Sequence, residues 1–306
     1  MPPFTKTFEL ASKIRIPAVG LGTWQSEPGQ VREAVKVAIQ SGYRHIDCAW
    51  AYRNEGEVGQ GIKDSGVDRK DLFITSKLWN TFHQPEKVAA GLQETLDNLG
   101  LDHLDLYLMH WPVAFANQPK KGKPEIDWDL TRDPSPTWAA MEKLVEQGKT
   151  KHIGVSNFTI GRLEKLIKQA KIKPAVNQIE SNLHCAQPDL VQWSHDNGVL
   201  LEAYSPLGST GAPQLTDEVV KSIAEAHGAS PAQVLISWQV ARGLVVLPKS
   251  VTPQRIKENF ESVELKADEV DRLNKRSAEF GTKRTVDPST AWGVPDLWKE
   301  DGAAKL

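Results

Sequence analysis

Four residues able to hold or move protons stand at or just beyond the ends of three apolar, β-leaning runs. Asp47 closes Tyr43-Arg-His-Ile-Asp47 and is followed by Tyr52, Lys77 closes Phe73-Ile-Thr-Ser-Lys77, and His110 closes Asp105-Leu-Tyr-Leu-Met-His110. If the runs are parallel neighbours in one sheet, the four side chains meet at one end of it. A phenol has a reference pKa of about 10, so as an acid at neutral pH it needs a nearby cation to stabilise the phenolate. Lys77 is the candidate cation, Asp47 the anion that keeps it charged and fixed, and His110 the hydrogen-bond partner that orients a substrate carbonyl. Such a group suits protonation of a carbonyl oxygen as hydride reaches the carbon. Any one of the four is better explained as an ordinary strand end; their coincidence carries the reading.

The elements that must position them follow a regular alternation. Residues 7–10 and 14–17, around the polar turn 11–13, predict a β-hairpin able to plug one end of a barrel. Strands are then expected at 18–21, 45–48, 72–75, 104–108, 153–155, 175–179, 199–203 and 244–247. Between and after them fall helices at 30–40, 55–63, 85–99, 136–147, 160–169, 188–197, 217–227, 231–241, 253–260 and 267–278. Parallel strands need such crossovers, and eight strand-helix units in roughly 250 residues predict an α/β fold, a (β/α)8 TIM barrel with its site at the C-terminal strand ends. With no linker in view, residues 1–306 are expected to form one domain. The long connection 111–135 and the irregular tail after 280, which carries Trp292 and Trp298, are expected to cover the C-terminal face.

Composition narrows the partners. A net charge of -2 gives no reason to expect an obligatory nucleic-acid or membrane partner. Cys48 and Cys185 are too few for a disulfide framework or zinc cluster, and Cys48 should face away from the barrel mouth as packing. The start has no signal-peptide core and no run is long enough to span a bilayer, so a cytoplasmic protein is expected. A metal-dependent hydrolase would need clustered His and carboxylates at strand ends, where only Asp47 and His110 stand; no metal is expected.

The dinucleotide fingerprint is missing. Gly20-Leu-Gly22 and Gly56-Glu-Val-Gly59-Gln-Gly61 lack its spacing, and their simplest role is tight turning. A better phosphate site is the run 247–259, where a strand end enters a helix start carrying Lys249, Ser250, Thr252 and Arg255; two cations beside free amides suit a phosphate monoester.

These segments resemble the aldo-keto reductase family over nearly the whole chain. The motifs are Gly42-Tyr-Arg-His-Ile-Asp47-x4-Tyr52, Ser76-Lys77-Leu-Trp79, Leu108-Met-His110-Trp-Pro112, Ile153-Gly-Val-Ser156-Asn157-Phe158, Asn177-Gln178, Ala203-Tyr204-Ser-Pro-Leu207-Gly208 and Leu247-Pro-Lys249-Ser250. The resemblance implies NADPH/NADP+ lying extended across a barrel mouth, with Tyr52 as acid and Asp47, Lys77 and His110 as its partners. It places Thr23, Trp24 and Asp47 beside the cofactor, Ser156, Asn157 and Gln178 on the nicotinamide carboxamide, and Ser205, Leu207 and Ser209 along the pyrophosphate. Lys249, Ser250, Val251, Thr252, Arg255, Glu258 and Asn259 would hold the adenosine 2′-phosphate end. Tyr204 would stack under the nicotinamide, which also makes physical sense, because one aromatic face fixes one side of the ring and leaves the other open.

The substrate pocket is expected from Trp24, Trp79, Trp111 and Trp292 with Tyr52 and His110. Within the family the chain is most similar to fungal-type reductases of glycerol, glyceraldehyde and small sugars. Its stretch 208–216 is shorter than the clasp over the cofactor in animal aldose reductases. A monomer acting on a small carbonyl or polyol is expected; the alternative is an NADPH-binding, redox-sensing regulatory subunit, which the intact tetrad disfavours.

Overall fold

The computed structural model describes residues 1–10, 13–118, 121–209 and 211–299. The expected hairpin is formed by β1 (Thr7–Glu9) and β2 (Arg15–Pro17), with Phe8 opposite Ile16; its turn residues Ala11 and Ser12 lie outside the described residues, as does Thr210 after the seventh barrel strand. Leu10 and Ile16 pack against Phe73, Leu106, Val176 and Val245, so the hairpin seals the N-terminal end of the barrel.

The barrel strands are β3 (Leu21–Gly22), β4 (His45–Asp47), β5 (Phe73–Leu78) and β6 (Leu104–Met109). A separate hairpin, β7 (Ala114–Asn117) with β8 (Glu125–Asp127), precedes β9 (Thr150–Ser156), β10 (Val176–Glu180), β11 (Leu200–Tyr204) and β12 (Val245–Leu247). The eight barrel strands run in the order β12-β11-β10-β9-β6-β5-β4-β3, all pairs parallel. The seam is closed by bridges Val19 to Val246 and Gly22 to Lys249, with Gly20 N donating to Val246 O at 2.9 Å. This is the expected (β/α)8 barrel.

The helices form where local signals agree. Residues Pro85–Leu99 begin with proline, whose missing N–H costs nothing in a first turn, and end at Gly100 with φ 66°. That helix buries Val88, Leu92, Leu96 and Leu99 on one face against the sheet. Residues Pro231–Ala241 start from a Ser230–Gln233 capping box.

The glycine pattern has another cause than turning. Gly56, Gly59 and Gly61 all lie inside the helix Glu55–Ser65. A Cβ on Gly59 would sit 2.2 Å from the carbonyl oxygen of Leu99, and one on Gly61 would sit 2.5 Å from that of Arg32. The glycines let three helix backbones approach closely. Gly20 is likewise a packing position, since a Cβ there would meet the His45 ring at 2.8 Å inside the barrel. Gly59→Ala is expected to destabilise the fold by about 1–3 kcal/mol or more through overpacking against backbone. A urea midpoint equal to that of the parent would show that the helices separate freely.

Residues 111–135, expected as an irregular cover, hold the β7–β8 hairpin and the helix Trp128–Arg132. The tail, also expected as irregular, contains a helical turn, Ser289–Trp292. The two order each other: Val113 and Phe115 are buried with Val294 and Leu297 in one apolar cluster.

Candidate active site at the C-terminal strand ends

Lys77 lies inside the barrel, fully buried, and donates all its available bonds to one spot. Its Nζ donates to Asp47 Oδ2 at 2.7 Å, to Cys48 O at 2.8 Å and to Tyr52 Oη at 3.3 Å. Register explains the meeting: β4 and β5 are adjacent with Asp47 opposite Thr75, so Lys77 reaches back one pleat to Asp47. Tyr52 arrives on the helical turn Trp50–Tyr52 directly after β4. Burial opposes the ammonium charge, but Asp47 and Tyr52 win and hold Lys77 protonated above the usual lysine range. Burial pushes the Tyr52 hydroxyl up to about 12, and the Lys77 cation pulls against that rise.

His110 follows β6 and faces the same point, its ring 5.8 Å from that of Tyr52 in an edge-on arrangement. Burial and the neighbouring Lys77 cation hold its pKa well below the ordinary value, so the imidazole is neutral and carries one N–H. A cation on a phenol beside a neutral imidazole can deliver a proton to an oxygen held between them. Cys48 is buried, its Sγ donating to Thr75 O at 2.9 Å, a packing position.

The next strand ends form a polar shelf. Ser156 Oγ donates to Gln178 O at 2.9 Å, and Asn157 Nδ2 donates to His110 O at 3.0 Å and to Ser156 Oγ at 3.1 Å. Tyr204 Oη donates to Asn157 Oδ1 at 2.7 Å, which fixes a half-buried aromatic ring at the end of β11. Thr23, buried after β3, donates to Asp47 O at 2.9 Å. Ser205 and Ser209 adopt positive φ, with the half-buried Leu207 between them.

Beyond β12, Lys249 is exposed and its Nζ rests on Gln25 O at 3.0 Å. Ser250 Oγ accepts from Thr252 N at 3.1 Å, and Glu258 accepts from Gln254 at 2.7 Å. Val251 is half-buried, Asn259 buried, and Arg255 exposed with no carboxylate within ion-pair range among the described residues. The helix here is Pro253–Glu258, shorter than the expected 253–260, so its dipole is weak and the side chains must supply most of any anion affinity. Because β12 adjoins both β11 and the β3 seam, these groups line up along the barrel mouth. Two cations outside any ion pair among the described residues at one end, serine hydroxyls in the middle and an amide shelf beside an aromatic ring fit an elongated, phosphorylated ligand with an amide at its far end.

Three of the four expected wall tryptophans come together. Trp79 stands 5.3 Å from the His110 ring, and Trp292 stands 6.2 Å from Trp79 and 5.1 Å from Trp111. Trp24 does not join them: it is 36% exposed and makes no ring contact with the others among the described residues. Phe115, 5.1 Å from Trp292, and Trp298, 6.0 Å from Trp111, extend the cluster instead.

Two carboxyls escaped sequence reasoning. Glu180, fully buried at the end of β10, accepts from Thr285 N and Oγ1 and from Val286 N, pinning the tail over the mouth. Glu202, fully buried in β11, accepts from Gln178 Nε2 at 2.7 Å. For Glu202 the available signal was a glutamate inside an otherwise apolar strand, where a charge is rarely buried without a partner; Glu180, ending the mixed strand Val176–Glu180, gave no such signal. Glu180→Gln is expected to weaken the tether and raise amide exchange at Thr285 and Val286 about tenfold or more, since bonds to a charged group contribute roughly 1.5–3 kcal/mol. Unchanged exchange would mean that the aromatic cluster alone holds the tail.

This barrel, with its Tyr-Lys-Asp-His cluster at the mouth, is that of an oxidoreductase class, and the chain belongs to the aldo/keto reductase family, whose pattern matches residues 18–278. It is 43% identical to glycerol 2-dehydrogenase (NADP(+)) of Saccharomyces cerevisiae over 312 residues, covering 96% of this chain and 97% of the relative. It is 47% identical to aldo-keto reductase family 1 member A1 of Gallus gallus, covering 92% and 91%. The solved aldose reductase from Schistosoma japonicum superposes with a TM-score of 0.88 at 39% identity, over 97% of this chain and all of that one.

Proposed function

We propose that this chain is an NADPH-dependent reductase of small aldehydes and ketones such as glyceraldehyde and sugars, reversible to oxidation of polyols such as glycerol, working as a single-domain monomer. The observation that carries the reading is the Lys77 ammonium, 3.3 Å from Tyr52 Oη while fixed by Asp47 at 2.7 Å. When bound, NADPH supplies the hydride. Tyr52 Oη gives the proton to the carbonyl oxygen, Lys77 stabilises the phenolate that remains, and Asp47 keeps Lys77 charged and in place. His110 donates to the same oxygen and sets the carbonyl's angle. Run backward, the phenolate takes the alcohol proton.

Ser156, Asn157 and Gln178 are proposed to hold the carboxamide, Tyr204 to stack under its ring, and Ser205, Leu207 and Ser209 to follow the pyrophosphate. Thr23 and Trp24 flank the cofactor, and Lys249, Ser250, Val251, Thr252, Arg255, Glu258 and Asn259 hold the 2′-phosphate end. Trp79, Trp111 and Trp292 wall the substrate. The family's relatives named for glycerol and NADP(+) support this reading.

A steady-state screen of glyceraldehyde, xylose, glucuronate and glycerol with NADPH and NADH tests it; failure of every carbonyl to consume NADPH would overturn it. The tail is expected to govern substrate choice more than the chemical step, because Trp292 and Trp298 belong to the wall. Ending the chain at Phe280 should raise KM for preferred substrates by about tenfold, the worth of roughly 1.4 kcal/mol of lost apolar contact. Equal losses for all carbonyls would point to a structural role.

A further inference from the structure

Gln178 stands between two carboxyls. Its Nε2 donates to Asp47 Oδ1 at 2.8 Å and to Glu202 Oε2 at 2.7 Å, and an amide nitrogen has only two hydrogens to give. Turning the amide over would set its oxygen against the Asp47 carboxylate, so Asp47 decides which way it points and the second hydrogen is then aimed at Glu202. The carbonyl oxygen Oε1 is left facing away from both. Its neighbour Asn157 spends both of its amide hydrogens on His110 O and Ser156 Oγ.

We propose that Glu202 is a positioning residue: with Asp47 it fixes the Gln178 amide so that Gln178 offers an acceptor, not a donor, to the carboxamide NH2 of a bound nicotinamide. This rests on the functional reading above. Asp47 alone takes one hydrogen and would leave the amide free to swing about that bond; Glu202, opposite Gln178 in the β10–β11 register, removes that freedom.

Glu202 also carries a proton that the site can lose. The charged groups facing it are Asp47 on β4 and Lys77 on β5, while β10 presents the neutral Gln178 and β12 the apolar Val245. Lys77 is already paired with Asp47, so among the described residues an ionised Glu202 has no cation of its own. Burial, then Asp47, push its pKa up to about 8. Below that pH the neutral acid still accepts from Gln178; above it a negative charge stands beside the shelf and favours the positively charged oxidised nicotinamide over the neutral reduced one.

Tryptophan fluorescence titration with NADPH and NADP+ from pH 6 to 9.5 tests this, using E202Q and E202L. In the parent protein the affinity ratio should move toward NADP+ by about threefold or more across this range, a modest through-protein charge effect; the 2′-phosphate is common to both ligands and cancels. E202Q keeps an acceptor, so it should bind NADPH as the parent does while its ratio stays flat with pH. E202L should bind NADPH about tenfold more weakly, the worth of one mispositioned hydrogen bond. A ratio that drifts equally in E202Q and the parent, or parental binding by folded E202L, overturns the proposal. If E202L does not fold, the E202Q ratio decides. If the parent binds no NADPH at all, the functional reading fails instead. The Gln178 side-chain NH2 resonances of the ligand-free protein then decide positioning: they should shift with a midpoint near pH 8 in the parent and stay flat in E202Q.

Discussion

Tyr52→Phe is expected to lower kcat by about 100- to 10,000-fold, the usual cost of losing a positioned acid, while NADPH affinity stays nearly unchanged. The substitution removes only Oη; the ring keeps its edge-on packing on His110, and Lys77 keeps Asp47 and Cys48 O as partners. A variant retaining more than a tenth of the parent rate in single-turnover experiments would end the assignment of Tyr52 as acid. The same hydroxyl sets a pH dependence. Its pKa is raised to about 12 by burial against the pull of Lys77, so it stays protonated, ready for reduction, throughout the neutral range. Oxidation needs the phenolate and should speed up as pH rises toward that value. Lys77→Met removes the pull, so the alkaline rise of the oxidation profile should move to still higher pH. Identical profile shapes in parent and variant would separate Lys77 from the tyrosine. The variant also leaves Asp47 buried without its cation, a loss of about 3–5 kcal/mol, so its fold must be checked first.

Arg255→Met is expected to weaken NADPH by roughly ten- to a hundredfold and NADH hardly at all. Each bond from a cation to the 2′-phosphate contributes roughly 1.5–3 kcal/mol that a 2′-hydroxyl does not return. Arg255 is exposed with no carboxylate partner among the described residues, so removing it disturbs no internal ion pair. Lys249 is the second cation; its Nζ must leave Gln25 O to reach a phosphate, and partial burial of its ammonium, opposed by the Glu27 charge, lowers its pKa. Removing both cations should reduce discrimination between the two cofactors by about a hundredfold or more and flatten the salt dependence of NADPH binding. With a helix of only six residues behind them, little selectivity should survive the double change. Equal weakening of NADPH and NADH would show that Arg255 supports the fold or the adenine, and the phosphate assignment would fall.

The barrel and the convergence of Asp47, Tyr52, Lys77 and His110 were legible in the chain because both depend on local pattern. Strand-helix alternation sets the topology, and a polar residue at the end of an apolar run must emerge at the mouth. Nothing local, however, says what a residue in the middle of a strand will face. Gln178 meets Asp47 across 131 positions of sequence and Glu202 across 24, contacts that exist only once the barrel has closed. The same holds for Glu180 and the tail. Trp298 joins the aromatic cluster for a related reason: an aromatic side chain is equally at home in a wall or at the surface, and only the packing of residues 111–135 on the tail brings it against Trp111. Gly59 and Gly61 looked like turn residues because a missing Cβ serves a bend and a close approach alike; only the neighbouring Leu99 and Arg32 carbonyls tell which one applies. Residue type and periodicity thus decided the scaffold and the reacting groups, while the partners that orient them came from contacts between distant segments, which tertiary packing alone selects.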